Sequence, residues 1–441
     1  MCARRVVSFA LDHAKYAQNN DDAGNAGNAS SLAPRTGTIT VLSDQSDGKS
    51  ASTAGTQKLL TPTSLVCTRR ASAHLLENDR AQKAYRTNAA VCVPITHFPG
   101  EKYVAGIQSG GIREFANLRA APVVVATCDD PIRSEYSYSQ TTNKSKGFYR
   151  LTPFGWLSLQ PNQVRTIANA IKPDVLALPI DDVPPAAGKR RRETAVSRTH
   201  AWLTETLDDG ELQGDVALLA GLTGGTDEVV RARAAKLTME AVRASSACSR
   251  VVGVTVGGFA HGYPADTTKA MLAASLEAVP ESMVRYAPGL GAPDDVLRAV
   301  ASGVDLFDGA YPLTCASDGY ALTFPLTAQA ARDATHEVDA SASAGVDVGS
   351  DASKMNLRAV AYRTDARPLV VGCTCEACSR PYTRAYIHHL LNVHELLGEM
   401  LLEVHNAHHY SLFFEEMRRT VDDNSFDDFA NAHFAYRSAH A

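Results

Sequence analysis

The stretch Val216-Ala217-Leu218-Leu219-Ala220-Gly221-Leu222 carries no charged side chain. An uninterrupted apolar run this short reads as a strand buried on both faces. It is followed by Glu228 to Ala244, with apolar residues at helical spacing, and then by a second apolar run, Val251 to Val256. Strand, helix, strand in that order is the repeating unit of a parallel sheet covered by helices.

The unit recurs on both sides. Upstream, Pro122 to Ala126 reads as a buried strand, Gln163 to Ile171 as a helix, Val175 to Ile180 as a strand and Thr194 to Leu207 as a helix. Downstream, Lys269 to Ala278 (helix), Arg285 to Gly289 (strand), Asp294 to Ala301 (helix) and Val304 to Asp308 (strand) continue it. With one or two earlier strands the count reaches about eight units, which favours a closed α/β (β/α)8 barrel of the TIM type over an open sheet.

The N-terminal part is different. Ala17 to Ser31 and Ser43 to Gln57 are rich in Asn, Asp, Ser, Gly and Ala and read as disordered or loop insertions. Between them Thr36 to Leu42 alternates as a strand does, with Leu59 to Thr68 as its hairpin partner. Another Ala/Ser/Asp/Gly stretch, Asp333 to Ser353, reads as a flexible insertion. The expected division is an N-terminal β region and start of the barrel (1–120), the barrel body (121–332), the insertion (333–354) and a C-terminal helical metal-binding subdomain (355–441).

At 441 residues with a formal net charge of -5, the chain has no overall electrostatic footprint for nucleic acid, so any RNA contact must rest on local basic patches. No apolar run approaches a membrane span, and Met1 to Val6 has no sustained hydrophobic core after its arginines. An intracellular, cytoplasmic protein is expected.

Downstream of the barrel pattern stands Gly372-Cys373-Thr374-Cys375-Glu376-Ala377-Cys378. Cys-x-Cys-x-x-Cys lets one tight turn aim three sulfurs at a common point, and a tetrahedral zinc held by three thiolates needs one imidazole to close its shell. His388, His389, His394, His405, His408 and His409 lie on the helical segments that follow. The other reading, buried or disulfide-bonded cysteines, fits an intracellular chain less well. Cys2, Cys67, Cys92, Cys128, Cys248 and Cys315 are scattered singly and carry no signal.

Together with Thr383-Arg384-Ala385-Tyr386-Ile387-His388-His389-Leu390, Glu395-Leu396-Leu397-Gly398 and His405-Asn406, this stretch resembles the zinc subdomain of the tRNA-guanine transglycosylases. That resemblance implies a (β/α)8 barrel and makes His405 the fourth ligand, giving one Zn2+ held by Cys373, Cys375, Cys378 and His405. It departs from the family by one extra residue near Arg380-Pro381, which a loop absorbs. It is good from about Lys172 to Thr420 and weaker from Thr36 to Gln160.

The family exchanges a base on a ribose, with one carboxylate attacking the anomeric carbon and another carboxyl protonating the departing guanine. Gly303-Val304-Asp305-Leu306-Phe307-Asp308 resembles its nucleophile strand, with Asp308 at the nucleophile position and Asp181 at the base-reading position. The rest of the pocket departs from the pattern. Cys128-Asp129-Asp130-Pro131-Ile132-Arg133 replaces Ser-Asp-Ser-Gly-Gly-Phe-Gln, and Pro131 removes backbone freedom where the family has glycines. Thr223 replaces a glutamine before Gly224-Gly225, and Thr314 and Ser317 stand where two arginines would be.

A kept scaffold with a lost pocket, together with Asp318 to Phe324 and His408 to Phe414, resembles the family's non-catalytic accessory branch. What the resemblance implies is a heterodimer with a catalytic queuine tRNA-ribosyltransferase subunit, tRNA bound through the complex, and Asp308 and Asp181 as vestiges, so no catalytic residue. It also allows peripheral association with the mitochondrial outer membrane. Two other classes remain: an active transglycosylase using Asp308 as nucleophile, and a tRNA-binding scaffold.

Lys189-Arg190-Arg191-Arg192, read as a loop after Pro184-Pro185, serves one of three ends: gripping tRNA phosphates, addressing the chain to the nucleus, or forming a solvated turn. Arg380, Arg384, Arg418 and Arg419 flank the cysteine stretch as further cations. Tyr410, Phe413 and Phe414, at helical spacing, read as core or dimer interface before base-stacking platform.

Overall fold

The computed structural model describes residues 5–14, 32–43, 55–73, 75–76, 78–84, 86, 89–98, 101–107, 110–133, 147–152, 155–208, 210, 212–336, 349–380 and 382–440. Of the expected insertions, Ala17 to Ser31, positions 44–54 and positions 337–348 lie outside the described residues. The described residues form two compact units: 1–71, 88–290 and 298–308, and 72–87, 291–297 and 309–441.

The first unit is a closed barrel of eight parallel strands. Thr63–Arg69, Val91–Pro94, Val124–Thr127, Val175–Ala177, Ala217–Leu222, Val251–Val256, Val284–Tyr286 and Leu306–Asp308 pair in chain order. The last strand closes on the first, with Leu306 opposite Thr63, Phe307 opposite Ser64 and Asp308 opposite Leu65. Each strand is a near-continuous buried run, as it must be when helices cover one face and barrel filling the other.

The helices carry ordinary stop and start signals. Asp227 Oδ1 accepts the Val230 N–H at 3.1 Å to cap helix Glu228–Ala244. Pro161 opens helix Pro161–Ile171, where Gln163 Oε1 accepts the Gln160 N–H at 2.9 Å.

At the N-terminal end of the strands lies an antiparallel sheet of Arg5–Ala14, Arg35–Ser43 and Gly55–Thr61. Its inner face, Val7, Ile39, Val41 and Leu59, joins one apolar cluster with barrel residues Val125, Leu219, Val284 and Leu306. Arg35, 3 % exposed, ion-pairs with Asp305 and donates to Glu281 O at 2.7 Å and Met283 O at 2.8 Å, riveting the sheet to the barrel.

The expected hairpin partner, Leu59 to Thr68, is split at Pro62: the part before it pairs with Arg35–Ser43, and Thr63–Arg69 becomes the first barrel strand. Proline donates no ladder hydrogen bond, so the change of partner falls where one is already missing.

Helix Lys189–Asp208 starts five residues earlier than Thr194, so Lys189 to Arg192 form its first turn and are not a loop. The strand expected to run to Ile180 ends at Ala177, leaving Leu178 to Asp182 as a loop.

The second unit is mostly helical. Strands Tyr320–Leu322 and Lys354–Asn356 pair antiparallel. Helices Ala310–Asp318, Ala328–His336, Leu396–Asp422 and Phe426–Ala439 surround an aromatic core of Phe324, Tyr410, Phe413, Phe414 and Phe429, each at most 1 % exposed, while helix Arg384–Asn392 packs through Ile387, Leu390 and Leu391 in a separate cluster with Leu401 and Leu402. Tyr410, Phe413 and Phe414 are thus core residues. Among the described residues no helix is long and apolar enough to cross a membrane.

Candidate functional site: metal centre and barrel mouth

In the second unit Cys373, Cys375, Cys378 and His405 converge, with their ligand atoms all within 4.8 Å of one another. His405 Nδ1 lies 3.8 Å from Cys373 Sγ, 3.4 Å from Cys375 Sγ and 3.4 Å from Cys378 Sγ. A tetrahedral centre with bonds of about 2.3 Å to sulfur and about 2.0 Å to nitrogen separates those atoms by about 3.5 Å. Spacing and soft donor set therefore fit a four-coordinate metal ion.

The local chain explains the convergence. Cys375 caps the short helix Glu376–Ser379 through Sγ, which accepts the Cys378 N–H at 3.3 Å and brings the second and third sulfurs to one side. Asp365, held far below the usual carboxylate range by hydrogen bonds from Arg367, also pairs with Arg384 at 3.0 Å. Arg384 in turn donates to Pro368 O and Leu369 O, both at 2.9 Å, and so fastens the segment leading into Cys373.

Of the six candidate histidines only His405 reaches the sulfurs. His388 Nδ1 lies 2.8 Å from Leu357 O, His408 Nε2 lies 3.2 Å from Thr374 Oγ1, His409 Nε2 lies 2.8 Å from Phe324 O, and His389 and His394 are exposed.

The barrel mouth belongs to the first unit. A cavity of about 30 Å³ is lined by Thr127, Cys128, Asp129, Ile180, Asp182, Thr255, Tyr286 and Asp308, among others. Volume of this order holds about two water molecules.

The carboxylates around the cavity are already engaged. Asp129 ion-pairs with Arg150, a residue of the hairpin Phe148–Thr152 and Gly155–Leu159. Arg150 also donates to Ile180 O at 2.7 Å and lies 4.9 Å from the centre of the Phe148 ring. Asp308 Oδ2 accepts the Gly289 N–H at 2.6 Å.

Burial raises Asp182 to about 6 against the opposing pull of Arg231, and burial also lowers Arg231 to about 10. Arg231 donates to Gly257 O and Ser275 Oγ, both at 3.0 Å. The Cys128 thiol is pushed up by burial.

Asp181, quoted from the sequence beside Asp182, does not line the cavity. Its carboxylate turns to helix Lys189–Asp208 and receives Arg191 at 3.0 and 2.6 Å and Arg198 at 3.2 Å. Thr223 Oγ1 donates to Asp181 O at 3.2 Å. Asp130 is held by His97 Nε2 at 3.0 Å and the Ile132 N–H at 3.1 Å.

Of the basic run, Arg191 is spent on Asp181 and Arg192 reaches Thr226 Oγ1 at 3.1 Å, while Lys189 and Arg190 are exposed. Thr314 and Ser317 are exposed on helix Ala310–Asp318. Arg150, Arg198 and Arg231 organise this face, yet nothing in their sequence neighbourhoods singles them out.

A (β/α)8 barrel whose last strand ends in an aspartate, followed by a helical region bearing a three-cysteine, one-histidine cluster spaced to hold a metal ion, defines a narrow class of barrel proteins. The profile of the queuine tRNA-ribosyltransferase family matches residues 34–439, and the chain belongs to this tRNA-guanine transglycosylase family.

It is 29% identical over 396 residues to the queuine tRNA-ribosyltransferase accessory subunit 2 of Xenopus tropicalis, covering 85% of this chain and 92% of that protein. It is likewise 29% identical to the protein of that name in Ixodes scapularis, over 83% of this chain and 90% of the relative. To the queuine tRNA-ribosyltransferase of Thermus thermophilus it is 30% identical over 62% of either chain.

Proposed function

We propose that this chain is the non-catalytic accessory subunit of a heterodimeric queuine tRNA-ribosyltransferase, akin to accessory subunit 2. It pairs with a catalytic subunit in the cytoplasm and helps hold tRNA while guanine at the anticodon wobble position is exchanged for queuine. The observation that carries this reading is the barrel mouth. Its cavity is small, about 30 Å³, and Asp129 is occupied by Arg150 from within the chain. Base exchange needs free carboxylates positioned on either side of a glycosidic bond.

In the second unit, exposed Tyr386, Val393, Leu396 and Leu397, on helices Arg384–Asn392 and Leu396–Asp422 and the turn between them, offer apolar side chains that support pairing with a partner. The metal is zinc in this reading, since three thiolates and one imidazole in closed tetrahedral spacing make a structural zinc site.

A second reading, a transglycosylase active by itself, is favoured by Asp308, which ends its barrel strand and lines the cavity. Guanine exchange into tRNA, measured for this chain alone, for a catalytic homologue alone and for both mixed, separates the two. Accessory function requires no exchange by this chain and a gain in the mixture. Exchange by this chain alone establishes the second reading.

A further inference from the structure

His405 must present Nδ1 to the sulfurs, and an imidazole offers two nitrogens and a free ring rotation. The structure fixes both choices from the far side of the ring. His405 Nε2 lies 2.9 Å from Leu322 O, so Nε2 carries the proton and Nδ1 is left with its lone pair toward the cysteines.

Leu322 is in turn held by the next residue of the same helix. Asn406 Oδ1 accepts the Leu322 N–H at 2.8 Å, and its Nδ2 donates to Tyr320 O at 2.9 Å and Pro312 O at 3.1 Å. One N–H and two carbonyls around the amide leave a single orientation for it, and both His405 and Asn406 are 0 % exposed. The short strand Tyr320–Leu322 has only Lys354–Asn356 as a ladder partner among the described residues, so the amide supplies much of what fixes its position.

We propose that Asn406 is the positioning residue of the metal centre: by clamping Leu322 it sets the tautomer and ring orientation with which His405 faces Cys373, Cys375 and Cys378. The inference rests on the reading of these four residues as a metal site.

Asn406→Asp keeps the shape but turns a carboxylate toward the carbonyls of Pro312 and Tyr320, whereas Asn406→Ser removes the clamp with less strain. Met417→Ala, on the same helix about three turns beyond Asn406 and buried, controls for general destabilisation. Each full-length variant is loaded with Zn2+ and titrated with a chromophoric chelator, and the Co2+-substituted forms are recorded by visible absorption.

Loss of an outer-sphere partner typically weakens metal binding about 10–100-fold. Both Asn406 variants should show a loss of that order and an altered d–d band, while Met417→Ala lowers the melting temperature and keeps wild-type affinity and spectrum. If Asn406→Asp does not fold, Asn406→Ser decides. Wild-type affinity and an unchanged Co2+ spectrum in a folded Asn406 variant overturn the proposal alone. Absence of metal from the wild-type chain, and failure to take it up, overturns the metal reading with it.

Discussion

The Asp308 carboxylate accepts the backbone N–H of Gly289 at 2.6 Å, so the last barrel strand is tied to the loop that follows its neighbour. One oxygen of the carboxylate at the family's nucleophile position thereby holds two strand ends together.

The first prediction follows from that tie. Positioning can supply several kcal/mol of a reaction barrier, and an aspartate that has no sugar held in line with it contributes none of it. Asp308→Asn should leave guanine exchange by the heterodimer within about twofold of wild type, because the Asn side-chain oxygen can still accept from Gly289. Replacing the matching aspartate of the catalytic partner should abolish exchange. A covalent RNA adduct on Asp308, or loss of most activity in a folded and paired Asn variant, would establish a second active site.

Metal removal should act on the second unit. Binding to a closed four-ligand site is coupled to folding of the segments that supply the ligands. Cys375→Ser should lower the metal content from about one ion per chain and remove protection of residues 372–420 in hydrogen exchange. Chelation of the wild type should reproduce the effect. Full metal content in the variant would reject the ligand assignment.

The basic run should divide in two. Reversing the charge of Lys189 and Arg190, both exposed, should weaken tRNA binding by the complex and reduce the salt slope by about 1–2, since each phosphate contact contributes roughly 0.7–0.9. Arg191→Ala should instead cost about 1–3 kcal/mol of stability, because Asp181 stays buried beside Arg198 with one guanidinium fewer. An unchanged salt slope for the first variant would leave these two cations as a solvated helix turn.

Asp182 links stability to pH. Its carboxyl is raised by burial from 3.8 to about 6, so between those values the folded state keeps a proton that the unfolded chain has lost. Stability contributed by this group is therefore present in acid, falls as pH rises from about 4 to about 6, and levels off above. Asp182→Asn should flatten that slope and gain on the order of 3 kcal/mol at pH 7, one pKa unit being worth about 1.4 kcal/mol. Parallel denaturation profiles for variant and wild type across this window would show that Asp182 does not titrate there.

The barrel and the cysteine cluster were legible without coordinates because their signals are local. Apolar runs such as Val216 to Leu222 alternate with helical periodicity whatever lies across the sheet, and Cys-x-Cys-x-x-Cys carries its geometry in one turn. Selecting His405 among six histidines needed the family resemblance, since spacing along a helix does not say which turn faces a distant loop.

What only the tertiary structure decided lies at the strand ends. Ending the strand at Ala177 turns Asp182 into the cavity and Asp181 out toward Arg191 and Arg198, a choice that adjacent aspartates do not reveal. Arg150 reaches Asp129 across 21 residues of sequence, and Asn406 reaches Leu322 across 84. Such pairings depend on which loops the closed barrel and the helical unit bring together. Periodicity fixes an element's faces, but the partner of a buried polar group is set by chain segments far away in sequence.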